Sequence, residues 1–355
     1  MIDFLILSQL AMGQYGLGTI KSLYDEIGSA EGVVRKLGKT FKEEELRAKE
    51  EIAWCEKNNV TILTISDADY PDRLRHCCDA PLAIFTRGKA NLNAPHIISI
   101  VGTRKCTTYG KEVINQLVGD LAMMLPDIVI VSGLAYGIDI NAHRAALNKG
   151  LSTVGVVAHG QDTLYPSLHR NEANKMCLGN GGVITEFFHG TRSLAPYFLQ
   201  RNRIIAGMSD ATIVVESALH GGGLVTARLA QDYNREVFAV PGPVNSSASE
   251  GTNNLIRDNK AALITSAQDI MDTMQWQNVT LANKKQREAK ERLLFLDLTP
   301  DEQKVIDYLK QHGDTQTNIL AMNTAIPIGS LSALLFSLEM KGVVRPLSGN
   351  TYHLV

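Results

Sequence analysis

Between residues 96 and 275 the sequence alternates short apolar, β-branched runs with longer segments of helical character. Seven runs make up the series: 97–101, 128–132, 153–158, 183–186, 211–216, 237–240 and 262–265. Strands that alternate with helices at this spacing are βα units, which build a mostly parallel sheet. Because each run is continuously apolar, both faces of each strand must be covered. The sequence therefore predicts an α/β fold with a doubly wound, mostly parallel sheet.

The regions before and after this core have different patterns. Residues 1–60 predict a small helical domain, with Gly16-Leu17-Gly18 between its first two helical segments. A Gly-x-Gly turn between helices is typical of a helix-hairpin-helix (SAM-like) domain, whose backbone amides hold a phosphate, but also of a plain packing turn.

The last 80 residues predict a linker and a winged helix. Residues 276–299 are polar and then basic, as in a linker. Residues 300–355 contain three helical segments followed by a hairpin pattern, which is typical of a winged helix. With residues 61–275 as the α/β core, the chain is predicted to have three domains and one linker.

The charge distribution excludes a protein that coats nucleic acid through a uniformly positive surface. The 355 residues contain 35 Lys and Arg against 37 Asp and Glu, a net charge of -2. Residues 95–265 contain 14 basic and 13 acidic residues, whereas residues 1–94 contain 12 and 14, and residues 266–355 contain 9 and 10. The core is the least acidic part, which is compatible with a local basic cleft.

The cysteine pattern and the hydropathy predict a cytoplasmic protein. The five cysteines form no C-x-x-C pair and no Cys/His array at zinc spacing, so we expect neither a disulfide framework nor a metal site. No stretch of 18 apolar residues occurs, and we expect no membrane span. The apolar start contains Asp3 and lacks a basic segment, which disfavours a signal peptide.

Glycine-rich turns follow most of the predicted core strands. In a doubly wound sheet, ligands bind beyond the carboxyl ends of the strands and near helix N-termini. Glycine lets backbone amides approach an anion closely, although βα turns also favour glycine for their own geometry. The residues predicted to bind phosphate are Gly102, Thr103, Arg104, Lys105, Ser132, Gly133, Gly137, Arg201, Arg203, Gly221, Gly222 and Gly223.

Arg104 is the most informative of these residues, because it follows directly after a strand and its glycine turn. A guanidinium at that place projects into the cleft and holds a phosphate through two parallel hydrogen bonds. A salt bridge to Asp139 or Glu216 is the alternative. We expect one of Arg201 and Arg203 to be structural and paired with an acid at a strand end.

The core sequence favours a binding protein over an enzyme. A GxGxxG fingerprint is absent after the first strand, so no NAD or FAD cofactor is predicted. No serine lies in a GxSxG elbow. His143 is expected to cap or pack, and Glu186 and Glu216 to cap loops or orient arginines, so no catalytic residue is assigned.

Six motifs occur in order along the core: VGTR (101–104), SGLAYGIDINAH (132–143), RNRIIAG (201–207), VVES (214–217), VFAVPG (237–242) and GTNNLIRD (251–258). In this order they resemble the DprA/Smf family, the DNA-processing protein A of bacterial natural transformation. Residues 70–88 also resemble the entry segment of that family, so the resemblance covers about residues 60–270. The turn at 220–223 and Asn259 depart from the family pattern.

The resemblance implies an extended Rossmann-like core that binds single-stranded DNA. It also implies a recombination mediator that protects incoming DNA during natural transformation, loads RecA onto it and remodels single-strand-binding protein. The family forms homodimers through this core and needs no membrane partner. Its phosphate-binding Gly-Ser/Thr-Arg element falls on Gly102, Thr103 and Arg104, and its SGLAxGID element on residues 132–139.

A nucleotide-binding sensor or a phosphoribohydrolase-like enzyme of the same fold class is the main alternative. Such enzymes have a PGGxGTxxE element, whereas this chain has no glutamate three residues after Thr226. For the DNA-binding hypothesis, Tyr136, Tyr165 and Phe188 are the predicted stacking platforms for bases, with ordinary packing as the alternative.

The third helix of the predicted winged helix lacks the charge that DNA recognition uses. It has no Lys or Arg before Lys341. Winged helices that bind DNA present basic residues on that helix. We therefore expect this domain to contact protein.

Overall fold

The computed structural model describes residues 1–38, 40–276, 298–341, 343–347 and 350–354. The chain divides into two compact units, Met1–Asn278 and Val279–Val355. The predicted linker lies almost wholly outside the described residues, since 277–297 are not among them. The predicted boundary at residue 60 stays a prediction, because the N-terminal helices belong to the same compact unit as the sheet.

The N-terminal region consists of four helices: α1 (Ile2–Met12), α2 (Leu17–Ile27), α3 (Ala30–Lys36) and α4 (Lys42–Lys57). The sequence did not predict the short α3, which begins where the Ser29 hydroxyl accepts a hydrogen bond of 3.2 Å from the Gly32 amide. Leu7 and Ile20 are fully buried in the same hydrophobic cluster as Leu74 of the core. The four helices therefore share a hydrophobic core with the sheet.

The sheet of the first unit has nine strands: β1 (Thr61–Thr64), β2 (Ala83–Gly88), β3 (Ile97–Val101), β4 (Val129–Ser132), β5 (Ser152–Val156), β6 (Gly182–Thr185), β7 (Ala211–Val214), β8 (Glu236–Ala239) and β9 (Ala262–Leu263). Their order is β1-β2-β6-β5-β4-β3-β7-β8-β9. Every pair from β6 through β9 is parallel, which confirms the predicted fold class. The antiparallel strands β1 and β2 were not predicted as strands.

Helices cover both faces of this sheet. They are α5 (Asp72–Arg75), α6 (Thr108–Met124), α7 (Ile138–Asn148), α8 (Arg170–Leu178, after a 3₁₀ turn at Ser167–His169), α9 (Ala195–Gly207), α10 (Gly222–Asp232), α11 (Glu250–Arg257) and α12 (Ala267–Met274). Ile97 and Val101 of β3 belong to one hydrophobic cluster, whereas Ile98 and Ile100 belong to another. Since alternate residues of a strand point to opposite faces, the continuous apolar run serves both layers.

The strand order creates a switch point beside β3. From β3 the chain proceeds to β4, β5 and β6 on one side, and β7 then pairs with β3 on the other side. The loops after β3 and β7 thus leave the sheet in opposite directions. A crevice forms between such loops at the carboxyl ends of the strands, and ligands of doubly wound proteins bind there.

The second unit is a winged helix, as predicted. Its elements are α13 (Pro300–His312), β10 (Thr315–Gln316), α14 (Thr317–Thr324), α15 (Ile328–Met340), β11 (Val344–Leu347) and β12 (Thr351–Leu354), with the strands in the order β10-β12-β11. Val305, Leu331 and Leu335 are fully buried in its own hydrophobic cluster. Thr299 and Glu302 form a capping box at the start of α13.

Across the described residues, no single helix has both the length and the apolar composition to cross a membrane. One bent pair of helices, α14 with α15, satisfies the two criteria jointly.

Candidate functional site

A cleft with a cavity of about 250 Å³ lies at the switch point between β3 and β7. Four segments form it: the end of β3 with the loop that follows, the segment from the loop after β4 to the start of α7, helix α9, and the segment from the loop after β7 into α10. Its lining residues are Val101, Gly102, Thr103, Arg104, Ala135, Asp139, Phe198, Leu199, Arg201, Asn202, Ile205, Ala218, Gly221, Gly222, Gly223 and Thr226. The cleft therefore lies where the topology predicts a ligand site.

The loop after β3 is fixed by hydrogen bonds of its backbone. The Thr103 amide donates to the Glu216 carbonyl at 2.8 Å, and the Thr103 carbonyl accepts from the Ile138 amide at 3.1 Å. At Gly102 a Cβ atom would lie 2.6 Å from the Glu216 carbonyl oxygen, so only glycine permits this approach of the two loops. These bonds fix the backbone of the residues that precede Arg104.

The buried Glu216 side chain holds the next part of the same loop. Its carboxylate accepts from the amide of Thr107 at 2.9 Å and from the hydroxyl of that residue. The Thr107 hydroxyl in turn accepts from the Gly110 amide and caps α6. Glu216 therefore caps a loop, as the sequence favoured, and is not available to pair with Arg104.

Arg104 is exposed, and among the described residues no acidic side chain pairs with it. The carbon of its guanidinium lies 5.1 Å from the centroid of the Phe198 ring, within the range of a cation–π contact. The alternative salt bridges to Asp139 and Glu216 are thus not formed. Arg104 presents a free positive charge at the mouth of the cleft.

Arg201 lines the floor of the cleft but is only 3% exposed. Its guanidinium donates to the carbonyl of Gly133 at 2.6 Å and to that of Val156. Burial lowers the pKa of Arg201 to about 10, an effect that nearby Asp139 opposes. Burial raises the pKa of Asp139 while Arg201 opposes that shift. This arginine links the loop after β4 to the end of β5.

Arg203 does not reach the cleft. It is buried in an ion pair with Glu186 and also donates to the Asp79 carbonyl at 2.6 Å. This is the pairing with a strand-end acid that the sequence led us to expect for one arginine of the motif. Arg203 consequently fastens α9 to the segment before β2.

Ser132 and the glycines around it also act within the protein. The Ser132 hydroxyl is fully buried and donates to the Ile100 carbonyl at 2.6 Å. Gly137 has φ +79°, and a Cβ atom there would lie 2.1 Å from the Thr103 carbonyl oxygen. A Cβ atom on Gly133 would lie 2.3 Å from the Arg201 guanidinium. These three residues, with Arg203 and Lys105, do not line the cleft.

The turn Gly221–Gly223 opens α10 and lines the same cleft as Arg104. The helix begins without a side-chain cap, and while the amides of Gly221 and Leu224 donate to backbone carbonyls, those of Gly222 and Gly223 are placed to receive an anion. At Gly223 a Cβ atom would lie 3.1 Å from the Gly102 Cα, whereas Gly222 has open space around it. Gly223 therefore allows the two loops to pack closely, whereas the space around Gly222 leaves room for a ligand.

The aromatic side chain of the cleft is Phe198, which sequence analysis missed. Tyr165 is exposed and its ring lies 5.8 Å from that of Phe198. Tyr136 is exposed and packs edge-on against His169. The prediction for Phe188 is wrong, because this ring is buried against Phe85 and is not accessible for stacking.

Comparison with known proteins decides the family. The family model described as DNA recombination-mediator protein A matches residues 61–275, and the model described as DprA winged helix domain matches residues 293–350. The chain belongs to the DprA/Smf family. It is 32% identical over 304 residues to Protein Smf of Escherichia coli (strain K12), a match that covers 84% of this chain and 78% of that protein.

Further DprA proteins are similar in sequence and in structure. The DNA processing protein DprA of Streptococcus pneumoniae is 37% identical over 209 residues, which cover 59% of this chain and 72% of that protein. The X-ray structure of DprA from Streptococcus pneumoniae matches with a TM-score of 0.60 and 30% identity, over 76% of this chain and 92% of that one. A structure of DprA from Helicobacter pylori, described by its single-stranded DNA binding mode, matches with a TM-score of 0.54 and 30% identity. This match covers 61% of this chain and 95% of that one.

His143, on α7 of this DprA-family chain, has a structural role. His143 is fully buried, with Nδ1 2.7 Å from the Thr153 hydroxyl, and burial lowers its pKa to about 3. It is therefore neutral at physiological pH and packs, as expected. Within the described part of the chain, no cluster of three or more His, Cys, Asp or Glu side chains has a geometry that holds a metal ion.

Proposed function

We propose that this DprA-family chain binds single-stranded DNA in the cleft between β3 and β7. The observation that carries the proposal is the guanidinium of Arg104, which has no acidic partner among the described residues, lies over the Phe198 ring and lines the same cleft as the start of α10, a helix without a side-chain cap. A phosphate between Arg104 and the amides of Gly222 and Gly223 would receive charge-assisted hydrogen bonds from both sides. A neighbouring base would then meet an aromatic ring.

The proposed ligand is a single strand because a duplex has no free base faces. Stacking on Phe198, and on Tyr165 next to it, requires bases that are not already stacked in a helix. The DprA structure from Helicobacter pylori is titled for single-stranded DNA binding, which supports the same ligand class for this relative. Of the residues predicted to bind phosphate, those that line the cleft remain part of the proposal: Gly102, Thr103, Arg104, Arg201, Gly221, Gly222 and Gly223.

Equilibrium binding to a fluorescent oligonucleotide tests this proposal. We expect the full chain to bind the single strand at least about tenfold more tightly than the duplex of the same sequence at fixed salt. The logarithm of the affinity should fall linearly with the logarithm of the salt concentration, and the slope should steepen by about 0.7 for each phosphate neutralised. Equal affinity for both forms, or no dependence on salt, contradicts the proposal.

We further propose that binding serves recombination and not catalysis. Membership of the DNA recombination-mediator protein A family supports a role in which the chain protects the strand, loads RecA onto it and remodels single-strand-binding protein. We propose that it does so as a homodimer during natural transformation.

RecA strand exchange on DNA coated with single-strand-binding protein tests the mediator role. Addition of the wild-type chain should shorten the lag before exchange. Addition of the Arg104→Ala variant, at a concentration that leaves the strand unbound, should not. If wild type has no effect on the lag although it binds the strand, the mediator role is wrong while the binding site stands.

A further inference from the structure

His159 is a buried histidine near the start of the loop after β5, residues 157–166, and its ring joins the two ends of that loop. The residue is 1% exposed. Its Nδ1 lies 2.8 Å from the Gly160 carbonyl oxygen, and its Nε2 accepts a hydrogen bond of 3.1 Å from the Tyr165 amide. Because a carbonyl oxygen only accepts, Nδ1 carries the ring hydrogen and Nε2 is the acceptor.

The imidazole can accept this bond only in its neutral form. Burial lowers the pKa of His159, and the contact with the Gly160 carbonyl opposes that shift. The nearby charge of Arg201 acts in the same direction as burial, and that of Asp162 in the opposite direction. The ring is therefore neutral at pH 7 and keeps Nε2 available to the Tyr165 amide.

Contacts with β6 hold the start of the loop in place. The Thr185 hydroxyl donates to the His159 carbonyl at 2.9 Å, and the buried Gln161 side chain donates to the Val183 carbonyl at 2.8 Å. Both partners lie on β6, a strand inside the sheet. His159 is thus a fixed acceptor for the far end of the loop.

Tyr165, at the far end of this loop, places its ring beside the aromatic side chain of the cleft. The ring lies 5.8 Å from that of Phe198, and Tyr165 is 46% exposed. The guanidiniums of Arg104 and Arg201 lie 5.1 and 5.9 Å from the Phe198 centroid, whereas in the described part of the chain no guanidinium lies over Tyr165. The Tyr165 ring is therefore the more accessible of the two to a base.

The adjacent residue Leu164 attaches the loop to the protein through a different contact. Its side chain packs against the buried cluster that contains Leu134 and Val157. The Tyr165 amide, in contrast, donates its hydrogen bond to His159. Loss of the His159 acceptor should therefore free Tyr165 locally while Leu164 keeps the rest of the loop in place.

We propose that His159 is a positioning residue for single-stranded DNA. By accepting the hydrogen bond of the Tyr165 amide, it holds the Tyr165 ring beside Phe198, where a base of the bound strand stacks on it. His159 itself is buried and does not touch the strand. The inference rests on the proposed binding of single-stranded DNA and adds the residue that supports one of its aromatic rings.

Anisotropy titrations of the full chain with one single-stranded oligonucleotide at fixed salt test this role. Tyr165→Ala should lower the affinity at least about fivefold through the loss of a stacked base. His159→Phe keeps a ring and removes the acceptor, so it should lower the affinity at least about threefold with the salt dependence unchanged. His159→Gln, whose carboxamide oxygen replaces Nε2 as the acceptor, should bind within about twofold of wild type.

A double-mutant cycle separates positioning from general stability. In the Tyr165→Ala background, His159→Phe should change the affinity by less than about 1.5-fold, because no ring is left to position. Tyr136→Ala is the matched control background, since Tyr136 is also exposed but packs against His169, and there His159→Phe should have its full effect. Circular dichroism checks that each variant is folded, and His159→Leu replaces His159→Phe if the latter is not.

The positioning role is wrong if His159→Phe lowers the affinity equally with and without the Tyr165 ring, or if His159→Gln binds as weakly as His159→Phe. It is also wrong if His159→Phe or Tyr165→Ala binds as wild type does while Arg104→Ala loses affinity, and the proposed function then stands. If Arg104→Ala binds the strand as wild type does, the proposed site itself is wrong.

Discussion

The cleft of the α/β core and helix α15 of the winged helix differ in the chemistry of the side chains that they expose. In the cleft, Arg104 has no acidic partner among the described residues and lies beside uncapped helix amides. On α15, two large apolar side chains are exposed: Phe336 is 64% exposed and Met340, four residues on, is 74% exposed. The adjacent Lys341 is paired with Glu302 at 2.7 Å.

This difference indicates that the net charge of a region does not reveal whether its cations are available to a ligand. Arg104 of the cleft has no acidic partner among the described residues, whereas α15 contains no Lys or Arg. Exposed apolar side chains such as those of α15 are typical of a surface that binds protein. We therefore propose that DNA binds in the cleft and that the winged helix binds a protein partner.

The largest effect should come from Arg104→Ala. Loss of a charge-assisted contact to phosphate costs about 1.5–3 kcal/mol, so affinity for single-stranded DNA should fall about tenfold to hundredfold. The salt dependence should also become shallower by the contribution of one phosphate. Arg35→Ala is the control, because Arg35 lies on α3 and is paired with Glu31. If Arg104→Ala changes the affinity for single-stranded DNA by less than twofold, the proposed difference between the cleft and α15 is wrong.

Phe198→Ala should have the next largest effect. A stacked base contributes about 1–3 kcal/mol, so affinity should fall at least about fivefold, with the salt dependence unchanged because no charge is lost. Phe198→Tyr retains the ring and should bind as wild type does. Anisotropy titrations at three salt concentrations measure both quantities. If alanine and tyrosine bind alike, the ring does not stack on a base.

The pH dependence of the winged helix should report on Glu302. Burial raises the pKa of this carboxyl, but hydrogen bonds from Lys341, the Thr299 amide and Ser337 outweigh that effect and lower it to about 2. A depressed pKa stabilises the folded state above the unfolded value near 4.5, and this contribution is lost as the pH falls towards 2. Calorimetry of the full chain should show that Glu302→Gln lowers the unfolding temperature of this unit at pH 7 more than at pH 3. If Glu302→Gln lowers the unfolding temperature equally at both pH values, the ion pair between Glu302 and Lys341 does not stabilise this unit.

The smallest effect is expected on α15. The double variant Phe336→Ser, Met340→Ser should leave the affinity for single-stranded DNA within about twofold of wild type, because neither side chain carries charge and the helix lacks cations before Lys341. Both positions are exposed, so the fold should persist, which circular dichroism checks. A loss greater than about fivefold would place DNA on the winged helix.

The periodicity of the sequence was sufficient for the parallel part of the fold. Strands β3 to β8 were predicted because each is buried on both faces and therefore continuously apolar, and their observed ends differ from the predicted ones by at most two residues. Strands β1 and β2 were not predicted because they pair antiparallel at one end of the sheet and do not form the βα units that the periodicity indicates. Helix α3 has only seven residues, too few for a helical period to be recognised.

The backbone turns that form the candidate site were predicted from the sequence, but not all of the side chains that line it were. The turns at Gly102–Arg104 and Gly221–Gly223 were predicted from the rule that ligands bind at the carboxyl ends of strands, and the structure brings them together. Which of Arg104, Arg201 and Arg203 is free depended on where Asp139 and Glu186 lie, and these acids come from other elements.

By itself the sequence determined the fold class, the family and the position of the cleft, because apolar runs and glycine turns are local properties of the chain. Only the tertiary structure decided which side chains face the cleft. It buried Phe188 and exposed Phe198 to the cavity, and it paired Arg203 with Glu186 while Arg104 stayed unpaired among the described residues. The reason is that accessibility and ion pairing depend on neighbours distant in sequence, which local patterns do not specify.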